Sequence, residues 1–295
     1  MQKTVHLIAV SLWLLAATAP TLHAQTDKNH EAILSTTMLV ELSGNAQFDA
    51  FFQKAVTAHW KVTPYKFVTN AELASVVSDK SVAMLRLVTT SSGKDAMEDS
   101  YFVILRGGKK KLTKYTTADQ ILSADFQFNG AETNSMKAGY RAAFLIKGLN
   151  DDLTTLKKQQ KKEAKSGNIM KANNTRVKAL KTKILLVAEE SLKYKSRYAR
   201  TLNRKAVEAK DLEGYRYKYQ VMPMEQIKEY ISRPSEETKD FCVFVPRFNF
   251  SKAYEIYDIN TAERLYYFFP KVAFKASLSK DDFEDLSDEV GGKKK

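Results

Sequence analysis

Apolar positions along this chain fall into two ordered series of short periodic runs. The first opens with Thr37-Met-Leu-Val-Glu-Leu42, which reads as a strand. Ser43-Gly44-Asn45 breaks it and caps a helix from about Ala46 to Trp60, with Phe48, Phe51, Phe52, Ala55, Val56 and Trp60 on its apolar face. Pro64 closes the connection, and Tyr65-Lys-Phe-Val68 alternates as a strand does. Thr69-Asn-Ala-Glu72 has the spacing of a capping box and opens a short helix that turns Leu73, Val76 and Val77 inward. Ala83 to Val88 reads as a third strand, and Tyr101 to Leu105 with Leu112 to Tyr115 as a hairpin about Gly107-Gly108.

The second series repeats that order. Lys183 to Val187 is the opening strand, followed by a basic helical stretch from about Leu192 to Ala209. Tyr217 to Val221 then stands where Tyr65 to Phe67 stood. Pro223 starts a helix, where its missing N–H costs nothing, and Ile227, Tyr230 and Ile231 take the places of Leu73, Val76 and Val77. Phe241 to Val245 repeats the third strand, and Ala253 to Phe269 the hairpin, with its turn at Asp258 to Ala262. The spacing predicts an α/β fold of two related β-α-β-α-β-β modules with mixed sheets, each closed by a hairpin, over 36–130 and 182–276. Identity between the halves is low, so the match rests on order, spacing and apolar register. Chance likeness of two unrelated α/β units is the alternative.

Residues 131–181 join the modules as a helical connector. Within it, Met136, Tyr140, Ala143 and Phe144 fall to one side and are expected to pack against a module. Apolar positions here do not repeat by heptads, so no coiled-coil seam is expected. After Pro270 the chain turns acidic, with Asp281, Asp282, Glu284, Asp285, Asp288 and Glu289, and 277–295 reads as a charged flexible tail.

The order of elements, with a closing hairpin built on Asp258-Ile-Asn-Thr-Ala-Glu-Arg264, resembles the small α/β modules of bacterial envelope proteins. Those are the amino-terminal domain of the Tol–Pal propeller protein, the curli-secretion lipoprotein and the lipoprotein activators of penicillin-binding proteins. The resemblance covers each repeat and lies in layout. It implies binding or assembly in the envelope without enzymatic activity. The chain departs from the pattern in three places: Ala262 follows Thr261, Gly107-Gly108 lacks an Asp, and no lipid-bearing cysteine is present.

The amino end agrees with that compartment. Lys3, an apolar stretch from Leu7 to Ala19, and Thr21-Leu-His-Ala24 have the layout of a signal peptide over 1–24, cleaved after Ala24. An uncleaved anchor is the alternative. Residues 25–35 are then a flexible start, and the mature protein is expected to be secreted or periplasmic. No later run is apolar over the roughly 18 residues that a membrane span needs.

Chemistry-bearing residues are few. The single cysteine, Cys242, lies in a continuous apolar run and reads as a buried hydrophobe, not a reactive thiol. Of four histidines, His6 and His23 belong to the signal peptide and His30 to the polar start, leaving His59 on the stripe of its helix. That supply does not make a His/Cys zinc site, and neither a metal nor a cofactor is expected. A Cys242–His59 dyad is formally available, with nothing to orient it. Ser91-Ser-Gly-Lys94 and Ser277-Leu-Ser-Lys280 match S-x-x-K in letters but lack the companion motifs of penicillin-binding enzymes. Gly93-Lys94-Asp95 is not a P-loop, since Ser or Thr does not follow the lysine.

Charge adds a second line. The chain carries a net +13, and Leu153 to Lys205 holds sixteen Lys or Arg against three Glu. Lys157, Lys158, Lys161, Lys162, Lys165, Arg197, Arg200 and Arg204 are the candidate anion-binding residues. A solvated lysine-rich surface without a ligand is the plainer reading. Nucleic acid is not expected as a partner, for lack of both compartment and motif. The leading expectation is a non-enzymatic envelope interaction or assembly protein that binds another protein. The alternative is a binder of anionic material such as lipopolysaccharide, acidic glycan or lipid headgroups through the basic connector. Third comes a hydrolase with no recognisable motif.

Overall fold

A computed structural model describes residues 32–90, 99–116, 119–126, 139–159, 176–193, 207–247, 253–268 and 278–292. The expected signal peptide and both S-x-x-K serines lie outside them, as does most of the stretch from Leu192 to Ala209 expected to be helical.

Two mixed sheets of five strands each make the α/β fold. In the first module the order along the chain is β1 (Met38–Glu41), α1 (Ala46–His59), β2 (Tyr65–Val68), α2 (Asn70–Val76), β3 (Ala83–Thr90), β4 (Asp99–Arg106), β5 (Leu122–Phe126) and α3 (Ala142–Gln159). The second has β6 (Ile184–Ala188), α4 (Glu189–Lys193), β7 (Tyr219–Met222), α5 (Met224–Ser232), β8 (Phe241–Arg247), β9 (Ala253–Asp258), β10 (Arg264–Phe268) and α6 (Lys280–Gly291). Across the sheets the strands lie β2-β1-β3-β4-β5 and β7-β6-β8-β9-β10, so the two topologies are the same. The first three strands of each module are parallel and the hairpin strands antiparallel.

Register makes the repeat residue-specific. Met38 pairs with Tyr65 and Ala83, whereas Leu185 pairs with Tyr219 and Cys242. Met38 and Leu185 are therefore equivalent, as are Tyr65 and Tyr219, and Ala83 and Cys242. Carried into the hairpins, the register matches Phe102 to Tyr254, Val103 to Glu255 and Leu105 to Tyr257. The strand partner of Tyr65-Lys-Phe67 is thus Tyr219-Gln-Val221, two residues beyond the expected Tyr217.

Local chemistry sets the helix ends. Asn45 Oδ1 accepts the Phe48 N–H at 3.0 Å at the start of α1. Thr69 and Glu72 form the expected capping box on α2, with Thr69 N–H donating to Glu72 Oε2 at 2.7 Å. The β9–β10 turn is held by Asp258 Oδ1, which accepts the N–H of Asn260 and of Thr261 at 2.9 Å each.

Each sheet is covered on both faces. One face of the first carries α1 and α3, which bury Phe48, Phe52, Ile146 and Leu149 against Met38, Val40, Leu85 and Phe102. Phe52 stacks on Phe102 at 4.6 Å between centroids. The other face carries α2, with Leu73 and Val77 over Met84 and Val103. In the second sheet, α5 lays Ile227 and Ile231 over Leu186 and Val243. Its opposite face buries Leu185, Cys242, Phe244 and Tyr254 beneath α6 and the turns at Val177–Lys181 and Ala209–Gly214.

Several expected boundaries move. Residues from 277 were expected to form a flexible tail. Instead α6 is a capped helix whose Phe283, Leu286 and Val290 are fully buried. Their spacing is that of Ile146, Leu149 and Leu153 on α3, so each module ends with a helix on the same face. The expected connector 131–181 therefore supplies a core helix of the first module. Within the expected flexible start, residues 32–34 form a helical turn and Ile33 is fully buried. The segment 112–115 is not the second hairpin strand. Leu112–Lys114 is a helical turn, the partner of β4 is β5, and Leu112 and Tyr115 pack over the α2 face of the sheet.

The modules are stacked through α3. Its inner face belongs to the first core, while Phe144, with Tyr140 just before the helix, joins the α5 face of the second sheet. Phe144 stacks on Tyr257 at 4.7 Å, and the Tyr140 hydroxyl donates to Met224 Sδ at 3.5 Å. In the first module the equivalent face is closed by Leu112 and Tyr115 instead. On α6 the position matching Phe144 is Asp281, which is exposed. Both ends of the stack thus differ from the interior, as the ends of a repeat array must if it is not to extend.

Candidate functional site

Open α/β sheets bind ligands beyond the carboxyl ends of their strands, at the point where successive connections leave in opposite directions. The orders β2-β1-β3 and β7-β6-β8 put that point at the ends of β1 and β6. Loop N–H groups and helix N-termini converge there, which is why such crevices take anionic ligands.

Here both points are filled from within. At the end of β1, Asp49 of α1 reaches back over the loop. Its Oδ1 accepts from the Ser43 N–H and hydroxyl, each at 2.8 Å, and its Oδ2 from the Gly44 N–H at 3.0 Å. Glu41, the last residue of β1, accepts from Arg86 of β3 and Asn70 of α2, so its carboxylate bridges the crevice. At the end of β6, Glu190 Oε2 accepts the Met224 N–H at 2.9 Å, so the α5 terminus is also occupied by a carboxylate of the chain. A bound anion at either point would have to displace a side chain already satisfied there.

The sparse nucleophile chemistry stays unassembled. Cys242 is fully buried in the second sheet, where burial pushes its thiol up, and its Sγ donates to the Ile184 carbonyl at 3.5 Å. His59 is half-buried at the end of α1 in the other module. Burial, then the charges of Lys147 and Lys61, lower its pKa below the ordinary value. The two residues belong to different cores and make no dyad. Among the described residues no group of His, Cys, Asp or Glu is placed to hold a metal ion. No helix among them is long and apolar enough to cross a membrane.

Of the candidate anion-binding residues, Lys157 is exposed on α3 and Lys158 follows it in the same helix. Lys161, Lys162, Lys165, Arg197, Arg200 and Arg204 lie outside the described residues.

What remains open is surface. A groove of about 400 Å³ runs between the Ala209–Gly214 turn and α6, lined by Glu213, Gly214, Arg216, Lys280, Glu284 and Asp288. Its charges pair across it, Arg216 with Asp288 and Lys280 with Glu213 at 3.8 Å. The edge strand β7 differs: Tyr219 and Val221 are exposed at 38% and 40%, high for large apolar side chains. The tyrosines leading into that edge are graded from Tyr215, buried, through Tyr217, half-buried, to Tyr219, exposed. Nothing in the sequence alone singled out the inward-turned carboxylates Asp49 and Glu190, since both sit among ordinary helix-start acids. No protein-family model matches this chain, and no curated protein or solved structure matches it either.

Proposed function

We propose that this chain is a secreted or periplasmic, non-enzymatic protein that acts by binding another protein of the cell envelope. The observation that carries this reading is the filling of both sheet-end crevices by Asp49, Glu41 and Glu190. A fold whose ligand-binding position is taken by its own carboxylates is left with its edges and faces for recognition. The layout of each module, which resembles envelope modules that bind and assemble, supports the same reading. So does a signal-peptide pattern at 1–24 followed by no further membrane-spanning run.

A second reading, binding of anionic envelope material, is favoured by the exposure of Lys157 at the start of the basic run and by the net charge of +13. The two separate by salt. Residues 25–295, used as bait on detergent-solubilised envelopes, are expected to retain a protein partner at high ionic strength, where surface charge is screened. Loss of all captured material at high salt, and again on neutralising Lys157, Lys158, Lys161, Lys162 and Lys165, would give the second reading the stronger claim.

A further inference from the structure

We propose that β7 is a docking edge for an extended, acidic segment of the partner protein, which adds to the second sheet as a further strand beside β7. This deepens the protein-binding reading and rests on it. Among the described residues the two sheets have four edge strands, and three are protected. Strand β2 has Lys66 at its middle and Pro64 before it, β5 contains Asp125, and β10 has a break in register between Arg264 and Tyr266. Charges, prolines and bulges are the usual means of keeping an edge from pairing with another chain. Strand β7, Tyr219-Gln-Val-Met222, has none of them within its span; Lys218 precedes it and Pro223 follows it, but its outward residues Tyr219 and Val221 are apolar and exposed where Tyr65 and Phe67 of β2 are half-buried.

Backbone direction brings the same residues forward. The Lys218 carbonyl accepts from Leu185 N–H of β6 at 3.0 Å. Successive residues of a strand turn their N–H and C=O to opposite sides, so Lys218, Gln220 and Met222 face β6. Tyr219 and Val221 present theirs to the open edge. Their side chains are also apolar and exposed, so one strand offers main-chain pairing and an apolar contact at alternate positions. Strand addition uses that combination.

Charge selects the occupant. A second copy of the chain would bring the same large positive charge to the contact. Lys218, exposed at the start of the edge, and the net positive charge favour an acidic partner instead.

The test uses isotope-labelled 25–295 and a capped peptide of alternating valine and glutamate. Binding is expected to shift the amide signals of Tyr219 and Val221. Val221→Pro removes an outward N–H and no ladder bond, so it should fold and bind the peptide about tenfold or more weakly. Phe67→Pro, at the matching place on β2, should bind as the unaltered chain does. Equal binding by Val221→Pro, or shifts confined to other surfaces, would overturn the proposal. Concentration-dependent dimers abolished by Val221→Pro would overturn it in favour of a second copy. An envelope protein captured equally by the unaltered chain and by Val221→Pro would remove β7 while leaving protein binding in place. Capture of no protein by the unaltered chain would remove both.

Discussion

Glu255 stands in the second sheet where Val103 stands in the first, and that exchange helps to join the modules. Val103 is buried among the apolar residues under α2. Glu255 is 4% exposed and accepts from Arg264 at 3.3 Å, while Arg264 also reaches Asp152 of α3 at 3.3 Å. Burial works against the Arg264 charge, and Asp152 and Glu255 more than offset it, so its pKa lies above its ordinary value. Arg176 adds an outer pair, meeting Glu263 at 2.8 Å and Asp151 at 3.8 Å. Arg264→Met would remove the charge that Asp152 and Glu255 share and is expected to cost about 3–5 kcal/mol. Adding Glu255→Val should restore part of that, as read by urea unfolding.

Phe144 is the apolar half of the same junction. Stacked on Tyr257, it couples the second sheet to a helix of the first core. The intact protein should unfold in one transition. Phe144→Ala should cost about 3–5 kcal/mol and split it into two, seen by calorimetry. A single unshifted transition would mean that the stack does not couple the cores.

The carboxyl-terminal helix seals the second core. Gly214 lies so close to α6 that an added Cβ would sit 2.3 Å from the Lys280 carbonyl oxygen. Gly214→Ala must therefore push the helix away, at a cost of about 1–3 kcal/mol. Cys242 lies in the core that α6 covers, so its thiol should resist a thiol reagent in the intact protein. It should react in a chain ending before Leu278. Equal reactivity of both chains would contradict the sealing role of α6.

Acid should loosen the first module through His59. Its pKa in the fold is below the ordinary value of 6.5, because burial, then Lys147 and Lys61, disfavour the imidazolium. As pH falls, the unfolded chain takes up the proton first. The stability that neutral His59 contributes is complete above about 6.5 and declines below it. His59→Gln should flatten that part of the stability profile in denaturant titrations from neutral to mildly acidic pH.

Much of this fold was legible because its strands are short and two-sided. Met38 and Val40 face one core while Leu39 faces the other, and Leu185, Val187 and Leu186 repeat the pattern. The register of β7 was not legible, since Tyr217 and Tyr219 have the same parity and only pairing with Leu185 separates them. Leu112 to Tyr115 reads as a strand because Gly107-Gly108 before it looks like a hairpin turn, whereas Leu112 and Tyr115, three residues apart, share one face of a helical turn. In α6 the i, i+3, i+7 spacing of Phe283, Leu286 and Val290 was present but outweighed by six acids around it. The filled crevices were illegible for another reason: Asp49 and Glu190 act on loops and helix ends that only the folded chain brings to them.

The central claim is contact with another protein, and the most direct test is a photo-activated cross-linking residue placed at Tyr219 in intact cells, with Thr57 on the exposed side of α1 as the control position. The account predicts a discrete protein adduct from position 219, resistant to high salt and absent from position 57. Glycolipid adducts alone, or the same adducts from both positions, would contradict it.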